Sequence, residues 1–577
     1  MRIGKTMACA SMLLIFLSLL ICIPFSAAQS RSVATPHFST AVAFDVSPPV
    51  RSLPTTMMMS PLSSIGVREV RPERGPVAKD KGFSGDAAVQ RSMMATTAAT
   101  IPSPIANFEG LSNQDNFNIY GGRVNPPDPV GDVGPNHYVE MINLAFAVYD
   151  KQGNMLSGPT AIGDLWAGFA IDDCTDPSGD PIVLYDQLED RWLLSQFTTR
   201  GLDDPTLPFY NCVAISQTGD PTGSYFRYAF VTTAPGTTTF FFPDYPKYGV
   251  WKKSYVLTSR DFGPTVEYGI SVYALEKNKM IAGDPNARAV HFFLDSDVVP
   301  INLIGDGLLP ADIDGTRQPK DAATIPIVGT QDDGGPYGAP SDALNIWDLS
   351  IHWQSTPQAS LTFRGSMPVA AFDSIFPCAP TSRDCLPQPG IVNPSQYLDI
   401  LSYRQRPTWR LAYRNFGTYE ALVTNQSVEA AAGVAGVRWY EIRRINGQYS
   451  LFQQGTYNPN DGVHRWMGSI AQDKNGNMGL GYSVVNGTTV FPGIRYTGRL
   501  KGDAAGQMTL GEATIIDGTG VQTTTNSRWG DYTSMNIDPA DDCTFWYVNE
   551  YYTAAGQASS AAGWQTRIGS FKLPGCP

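Results

Sequence analysis

His464-Arg465-Trp466-Met467-Gly468-Ser469-Ile470-Ala471-Gln472-Asp473 and Ser527-Arg528-Trp529-Gly530-Asp531-Tyr532-Thr533-Ser534-Met535-Asn536-Ile537-Asp538 are two renderings of one phrase. Their arginines stand 63 positions apart. In each, a polar or charged entry leads into a strand-like stretch, and a tight turn and an aromatic, β-branched strand follow. A strand-built repeat of this length is the mark of propeller blades, each of which buries its faces only against its neighbours. Working outward, the entry positions of further units fall near Asp132, Asp180, Asp244, Asp312 and Arg404 or Arg406, and then at Arg465 and Arg528. The steps Asp180 to Asp244 and Asp244 to Asp312 are 64 and 68 residues. The expectation is an all-β, seven-bladed β-propeller over residues 105–577, with six blades as the rival count.

The segments before it read differently. Arg2 and Lys5 precede a mostly apolar run from Met7 to Phe25, and Ser26-Ala27-Ala28 offers a cleavage point, so residues 1–28 read as a secretory signal peptide. Residues 29–104 are rich in Ser, Thr, Pro, Ala and Met and show no durable period. They are expected to be a disordered low-complexity leader or a removed pro-region, with a minor part covering the folded domain. No later stretch approaches roughly 18 uninterrupted apolar residues, so no stable membrane insertion is expected.

The whole chain carries a formal charge of −12, or −14 once Arg2 and Lys5 leave with the signal. No basic stripe is present to neutralise phosphates, which disfavours nucleic acid, and none is expected as partner. Six cysteines remain after the signal: Cys174, Cys212, Cys378, Cys385, Cys543 and Cys576. An even number in an exported chain reads as disulfides, and pairing in sequence order is the expectation. No Cys-x-x-Cys, His-Glu-x-x-His, Gly-x-Ser-x-Gly or phosphate-cradling glycine loop occurs. A structural calcium is considered at two acidic clusters, Asp172, Asp173, Asp176 and Asp180 near Cys174, and Asp312 with Asp314. Asp473-Lys474-Asn475-Gly476-Asn477 places oxygen ligands at alternate positions, but it lacks a closing glutamate and reads better as a hairpin turn.

In a propeller the loops that enter the innermost strands meet at one mouth of the central channel. Asp132, Asp180, Asp244, Asp312 and Asp531 would bring carboxylates there, Arg465 and Arg528 guanidinium groups, and Tyr185, Trp466, Trp529 and Tyr532 aromatic surface. Such a funnel suits a sugar, whose apolar ring faces stack on aromatic rings while charged groups bond its hydroxyls. Asp531 and Asp180 are the candidate catalytic carboxylates. Asp132, Asp244, Asp312, Arg465, Trp466, Arg528, Trp529 and Tyr532 are candidate ligand contacts. The competing reading of each is architectural: an Asp that caps backbone amides, or an Arg–Trp step that stacks between blades.

The phrases Asp132-Val133-Gly134-Pro135-Asn136-His137-Tyr138-Val139, Arg465-Trp466-Met467-Gly468-Ser469-Ile470, Arg495-Tyr496-Thr497-Gly498-Arg499 and Arg528-Trp529-Gly530-Asp531-Tyr532 give the chain a resemblance to a poorly characterised group of bacterial secreted propeller-like proteins, and more loosely to sialidases. The sialidase likeness would point to an arginine triad such as Arg465, Arg495 and Arg528. However, the recurring Ser-x-Asp-x-Gly-x-Thr-Trp turn of that family is absent. The functional expectation is a secreted or surface-associated monomer with a carbohydrate-facing channel mouth, either a glycan-active hydrolase or lyase, or a noncatalytic propeller that binds an extracellular glycan or protein.

Overall fold

Among the described residues, seven runs of antiparallel strands follow one another along the chain, two of them joined in one nine-stranded sheet, and each begins with an innermost strand. We number these innermost strands β1 (Val130–Val133), β2 (Ile182–Asp186), β3 (Phe242–Val250), β4 (Leu309–Asp314), β5 (Thr408–Asn415), β6 (His464–Gln472) and β7 (Ser534–Ile537). The computed structural model describes residues 32–54, 67–69, 80–90, 100–234, 236–263, 269–320, 322–400 and 405–576. The signal-like segment and Arg404 lie outside the described residues. Each innermost strand packs against the next, and β7 returns to β1, so the ring closes. β4 and β5 pair in parallel, with Ala311 opposite Leu411. The architecture is the expected all-β propeller.

The inner strands of neighbouring sheets cover one another, which is why many are buried end to end, whereas outer strands such as Gln358–Pro368 expose alternate positions. Ser254–Phe262 and Thr544–Tyr552 each bury all nine residues. Close approach of blades also selects glycine: a Cβ on Gly481 would lie 2.5 Å from the Tyr547 ring of the following blade.

The last blade takes only three strands from the C-terminal region. Its fourth is Ala106–Ser112, antiparallel to Trp564–Lys572, with Phe108 opposite Ile568. This early strand closes the ring. Glu140, fully buried in the first blade, accepts the Leu111 N–H at 2.8 Å and lies beside the Thr566 hydroxyl.

The expected disordered leader is corrected for its described residues. His37–Thr40 adds to the outer edge of the third blade and Ala43–Val46 to that of the second, both antiparallel. Val89–Gln90 lies parallel to Gln448–Tyr457 of the fifth. Unpaired outer edges are what such segments satisfy, even where their composition is too polar to fold alone. The cysteines pair in sequence order: Cys174–Cys212, Cys378–Cys385 and Cys543–Cys576. Among the described residues no helix is long and apolar enough to cross a membrane.

Candidate functional site

Because all seven innermost strands start at one end of the ring, the residues just before them converge there. Asp128 precedes β1 by two positions, Asp180 precedes β2 by two, Asp306 precedes β4 by three, Arg406 precedes β5 by two, and Asp531 precedes β7 by three. β3 contributes Tyr245 and Lys247 at a bulge between Asp244 and Lys247. The chain turns hard at these points. Asp128, Asp180, Tyr245, Gln405, Met467 and Ser527 all have left-handed backbone, with φ between 44° and 60°. Non-glycine residues hold that conformation only where the surroundings over-determine it, and such strain gathers at functional sites.

The polar groups form a linked cluster. Asp128 accepts the Asp531 N–H at 2.6 Å and the Asn143 side-chain amide at 2.7 Å. Asn143 in turn accepts the Asp180 N–H at 2.9 Å. Asp180 Oδ2 accepts the Tyr245 N–H at 3.2 Å and lies 3.4 Å from the Tyr532 hydroxyl. Asp531 Oδ2 sits 3.9 Å from Arg406 Nη2 and 3.6 Å from Arg528 Nη2, near both cations but beyond a tight hydrogen bond. The Arg406 guanidinium lies 3.7 Å over the Tyr245 ring. Burial, with Asp531 and Asp180 nearby, pushes the Asp128 carboxyl well above the usual carboxylate range. Burial does the same to Glu550, which accepts the Gly530 N–H.

Several buried atoms here have no hydrogen-bond partner among the described residues. The acceptors are Asp531 Oδ1, Glu550 Oε2 and Asp306 Oδ2, and the donors are Arg406 Nε and Nη1 and Lys247 Nζ.

A second layer of charge lies farther along the same strands, and it is saturated. Arg410 of β5 reaches Asp312 at 2.7 Å and Asp314 at 2.6 Å, and also donates to the Met535 carbonyl. Asp312 accepts the Val250 N–H at 2.9 Å, and Asp132 accepts the Val133 and Tyr185 N–H groups, each at 2.7 Å. Burial raises Asp132 to about 8 despite Arg410 nearby.

The expected contacts therefore divide. Asp180, Asp531, Arg528 and Tyr532 come together at the entry end. Asp132 and Asp312 sit deeper and tie backbone amides of adjacent blades. Asp244 is half-buried, with Arg260 opposite it in the neighbouring strand, while its near neighbours Tyr245 and Lys247 enter the cluster. Trp466 and Trp529 do not form an aromatic wall. They are 0% and 1% exposed and pack on each other at 5.0 Å within an apolar core. Arg465 turns into its own blade, bound to Asp461 and Glu512, and Arg495 shares Glu512, so these two stand apart from Arg528. Of the acidic clusters considered for calcium, Asp172 and Asp176 hold Arg200, at 3.0 and 2.6 Å, and Asp312 and Asp314 hold Arg410. The Asp473 side chain is engaged by Asn475 and Asn477 within its own turn. Asp128, Lys247, Glu550 and Asn143 escaped the reading of the sequence.

No family model matches the chain, and no curated protein matches it. Among solved structures, the chain is similar to the GH93 alpha-L-arabinofuranosidase of Fusarium graminearum with arabinobiose, at 11% identity and TM-score 0.30, over 68% of this chain and 93% of that one. It is also similar to the Penicillium chrysogenum alpha-L-arabinanase complexed with arabinobiose, at 10% identity and TM-score 0.28, over 69% and 96%. A third is an exo-beta-1,3-galactanase from Clostridium thermocellum, at 10% identity and TM-score 0.28, over 69% and 78%.

Proposed function

We propose that the protein is an extracellular glycan hydrolase that works at the entry end of its ring. One observation carries this reading: buried donors and acceptors without partners among the described residues occur side by side there, on Arg406 and Asp531, whose side chains approach to 3.9 Å. A buried polar atom left unsatisfied costs about 1–3 kcal/mol, so it calls for a partner. A partner that both donates to a carboxylate and accepts from a guanidinium is a hydroxyl group, and a ligand dense in hydroxyls is a sugar.

The carboxyl groups supply the chemistry. Asp128, whose carboxyl burial pushes well above the usual carboxylate range, serves as general acid to the glycosidic oxygen, so the departing sugar leaves as an alcohol. Asp531, flanked by Arg406 and Arg528, faces the positive charge that grows on the anomeric carbon. Water supplies the hydroxyl that replaces the leaving sugar and returns a proton to Asp128. Asp180 anchors Tyr245 and Tyr532 and holds their rings in place.

A second reading, recognition without turnover, is favoured by the low exposure of Asp180 and Asp531, 7% and 9%. A panel of extracellular polysaccharides, scored for both binding and product release, separates the two. The expected result is release by the wild-type protein, lowered at least about 100-fold in Asp128→Asn and Asp531→Asn. Binding without release on every substrate transfers the site to the recognition reading, and neither binding nor release overturns both.

A further inference from the structure

Lys247 has no part in the hydrolysis assigned to Asp128 and Asp531, yet its setting is unusual for a lysine. It is 2% exposed, and its Nζ has no hydrogen-bond partner among the described residues. A lysine kept as a counter-ion sits against a carboxylate, as Lys277 does at 2.9 Å from Asp186 and Lys151 at 2.7 Å from Asp538. Lys247 Nζ instead rests 3.1 Å over the Tyr245 ring and 3.3 Å over the Tyr532 ring. The two rings are 5.2 Å apart and tilted by 46°, which makes a notch that shuts water away from the amine. Charged groups act on it from several elements. Asp180, Asp531 and Asp128 favour the ammonium form, and Arg406 opposes it. Burial and Arg406 win, and the amine is pushed well below a lysine's ordinary range. An unprotonated amine carries a free lone pair and is a nucleophile for carbonyl carbon.

We propose that Lys247 is a covalent carbonyl-capture site, which condenses with the aldehyde of a small open-chain hydroxyaldehyde, the open form of a reducing sugar. The walls of the site fit that class: aromatic faces at the amine, and beside them the unpaired donors of Arg406 and acceptor of Asp531 for the hydroxyl groups. The nitrogen lone pair forms a bond to the carbonyl carbon, and the carbonyl π pair moves to oxygen. Asp128 gives that oxygen its proton and regains one from the nitrogen. A second transfer from Asp128 lets the hydroxyl leave as water while the nitrogen pair forms the C=N bond, and the iminium proton returns to Asp128. The sum is amine plus aldehyde to imine plus water, with no oxidation or reduction.

The full chain at pH 7 is incubated with glycolaldehyde and cyanoborohydride, which reduces an imine to a stable secondary amine, and the labelled lysines are mapped by mass spectrometry. The expected result is labelling of Lys247 at least about tenfold faster than exposed Lys253, because an ordinary lysine at pH 7 is almost wholly protonated. That advantage disappears in urea, and the fast label is absent from Lys247→Arg while the slow ones persist. Labelling of Lys247 no faster than Lys253 in the folded protein overturns the proposal, and this wild-type comparison decides even where the variant fails to fold. Capture does not require hydrolysis, and the readout is a covalent label rather than released sugar, so failure of either reading leaves the other standing.

Discussion

Two layers of charge line the axis of this protein, and they are built from the same residue types on the same strands. In the deeper layer Arg410 is spent on Asp312, Asp314 and a backbone carbonyl, and Asp132 is spent on two amides. In the layer at the entry end Arg406 keeps two nitrogens, and Asp531 an oxygen, without hydrogen-bond partners among the described residues. Both layers are buried. What distinguishes them is satisfaction: the deeper layer closes on itself as a strut between blades, whereas the entry layer keeps buried polar atoms without hydrogen-bond partners among the described residues. A charged, buried constellation on a propeller axis is thus not by itself a site, and its unspent hydrogen-bonding capacity is the better guide.

The hardest test of that contrast is to remove the arginine from each layer in turn. Arg410→Met strands Asp312 and Asp314 without their cation and should cost about 3–5 kcal/mol of stability, the usual penalty for breaking a buried pair from one side. Arg406→Met removes a cation that lies 3.7 Å over the Tyr245 ring and has Asp306 as well as Arg260 and Lys247 nearby, but whose ion contact to Asp531 is long. With no tight ion pair to break among the described residues, it should cost less than Arg410→Met, about 1–2 kcal/mol. Urea unfolding of both variants checks this. Equal losses would erase the distinction between strut and site.

A raised carboxyl pKa does not separate the layers, and Glu140 sharpens the point. Burial lifts it to about 7, although it is bonded to Leu111, Thr566 and Tyr149 at the ring closure and touches no candidate site. Its folded pKa lies above the unfolded value of 4.5, so the folded state binds more protons between those two limits. The stability this group supplies is therefore complete below about pH 4.5 and is lost as pH rises to about 7, roughly 3 kcal/mol in all. Glu140→Gln can accept from Leu111 and donate to Thr566 without titrating. The stability difference between variant and wild type, followed by urea unfolding from pH 4.5 to 8, should grow in the variant's favour and level off above pH 7. A flat difference would mean that the closing strand is held without a proton on Glu140.

Much of the fold was legible because blade strands are rich in aromatic and β-branched residues and recur at a near-constant step. The disulfides followed sequence order because each pair lies within or beside one blade. The closing strand Ala106–Ser112 and the edge strands of the leader were not legible, since pairing to a sheet edge leaves little mark in composition. At the site, Asp180, Asp531, Arg528 and Tyr532 were readable because entry loops must converge. Asp128 was hidden in Pro126-Pro127-Asp128-Pro129, which reads only as a turn, and Lys247 was hidden in a strand of aromatics and prolines. Arg465 and Arg528 share a phrase and a repeat position, yet one turns into its blade toward Glu512 and the other toward Asp531. The choice depends on where an acid waits in three dimensions.

The two tryptophans of the repeat mark the smallest expected effect and the cleanest separation of pattern from function. Trp529 packs against Trp466 at 5.0 Å and Tyr552 at 5.9 Å, and its indole N–H has no hydrogen-bond partner among the described residues. Trp529→Phe keeps an aromatic ring in the apolar core and removes that stranded donor. The packing lost and the unsatisfied group removed act in opposite directions, so stability should move by about 1 kcal/mol or less. Affinity for a glycan that binds the entry end should stay within about twofold, because a buried indole offers no face for a sugar ring to stack on. A clear loss of affinity with unchanged stability would put Trp529 back in contact with the ligand, and would mean that the blades open on binding and that the repeat itself forms the binding surface.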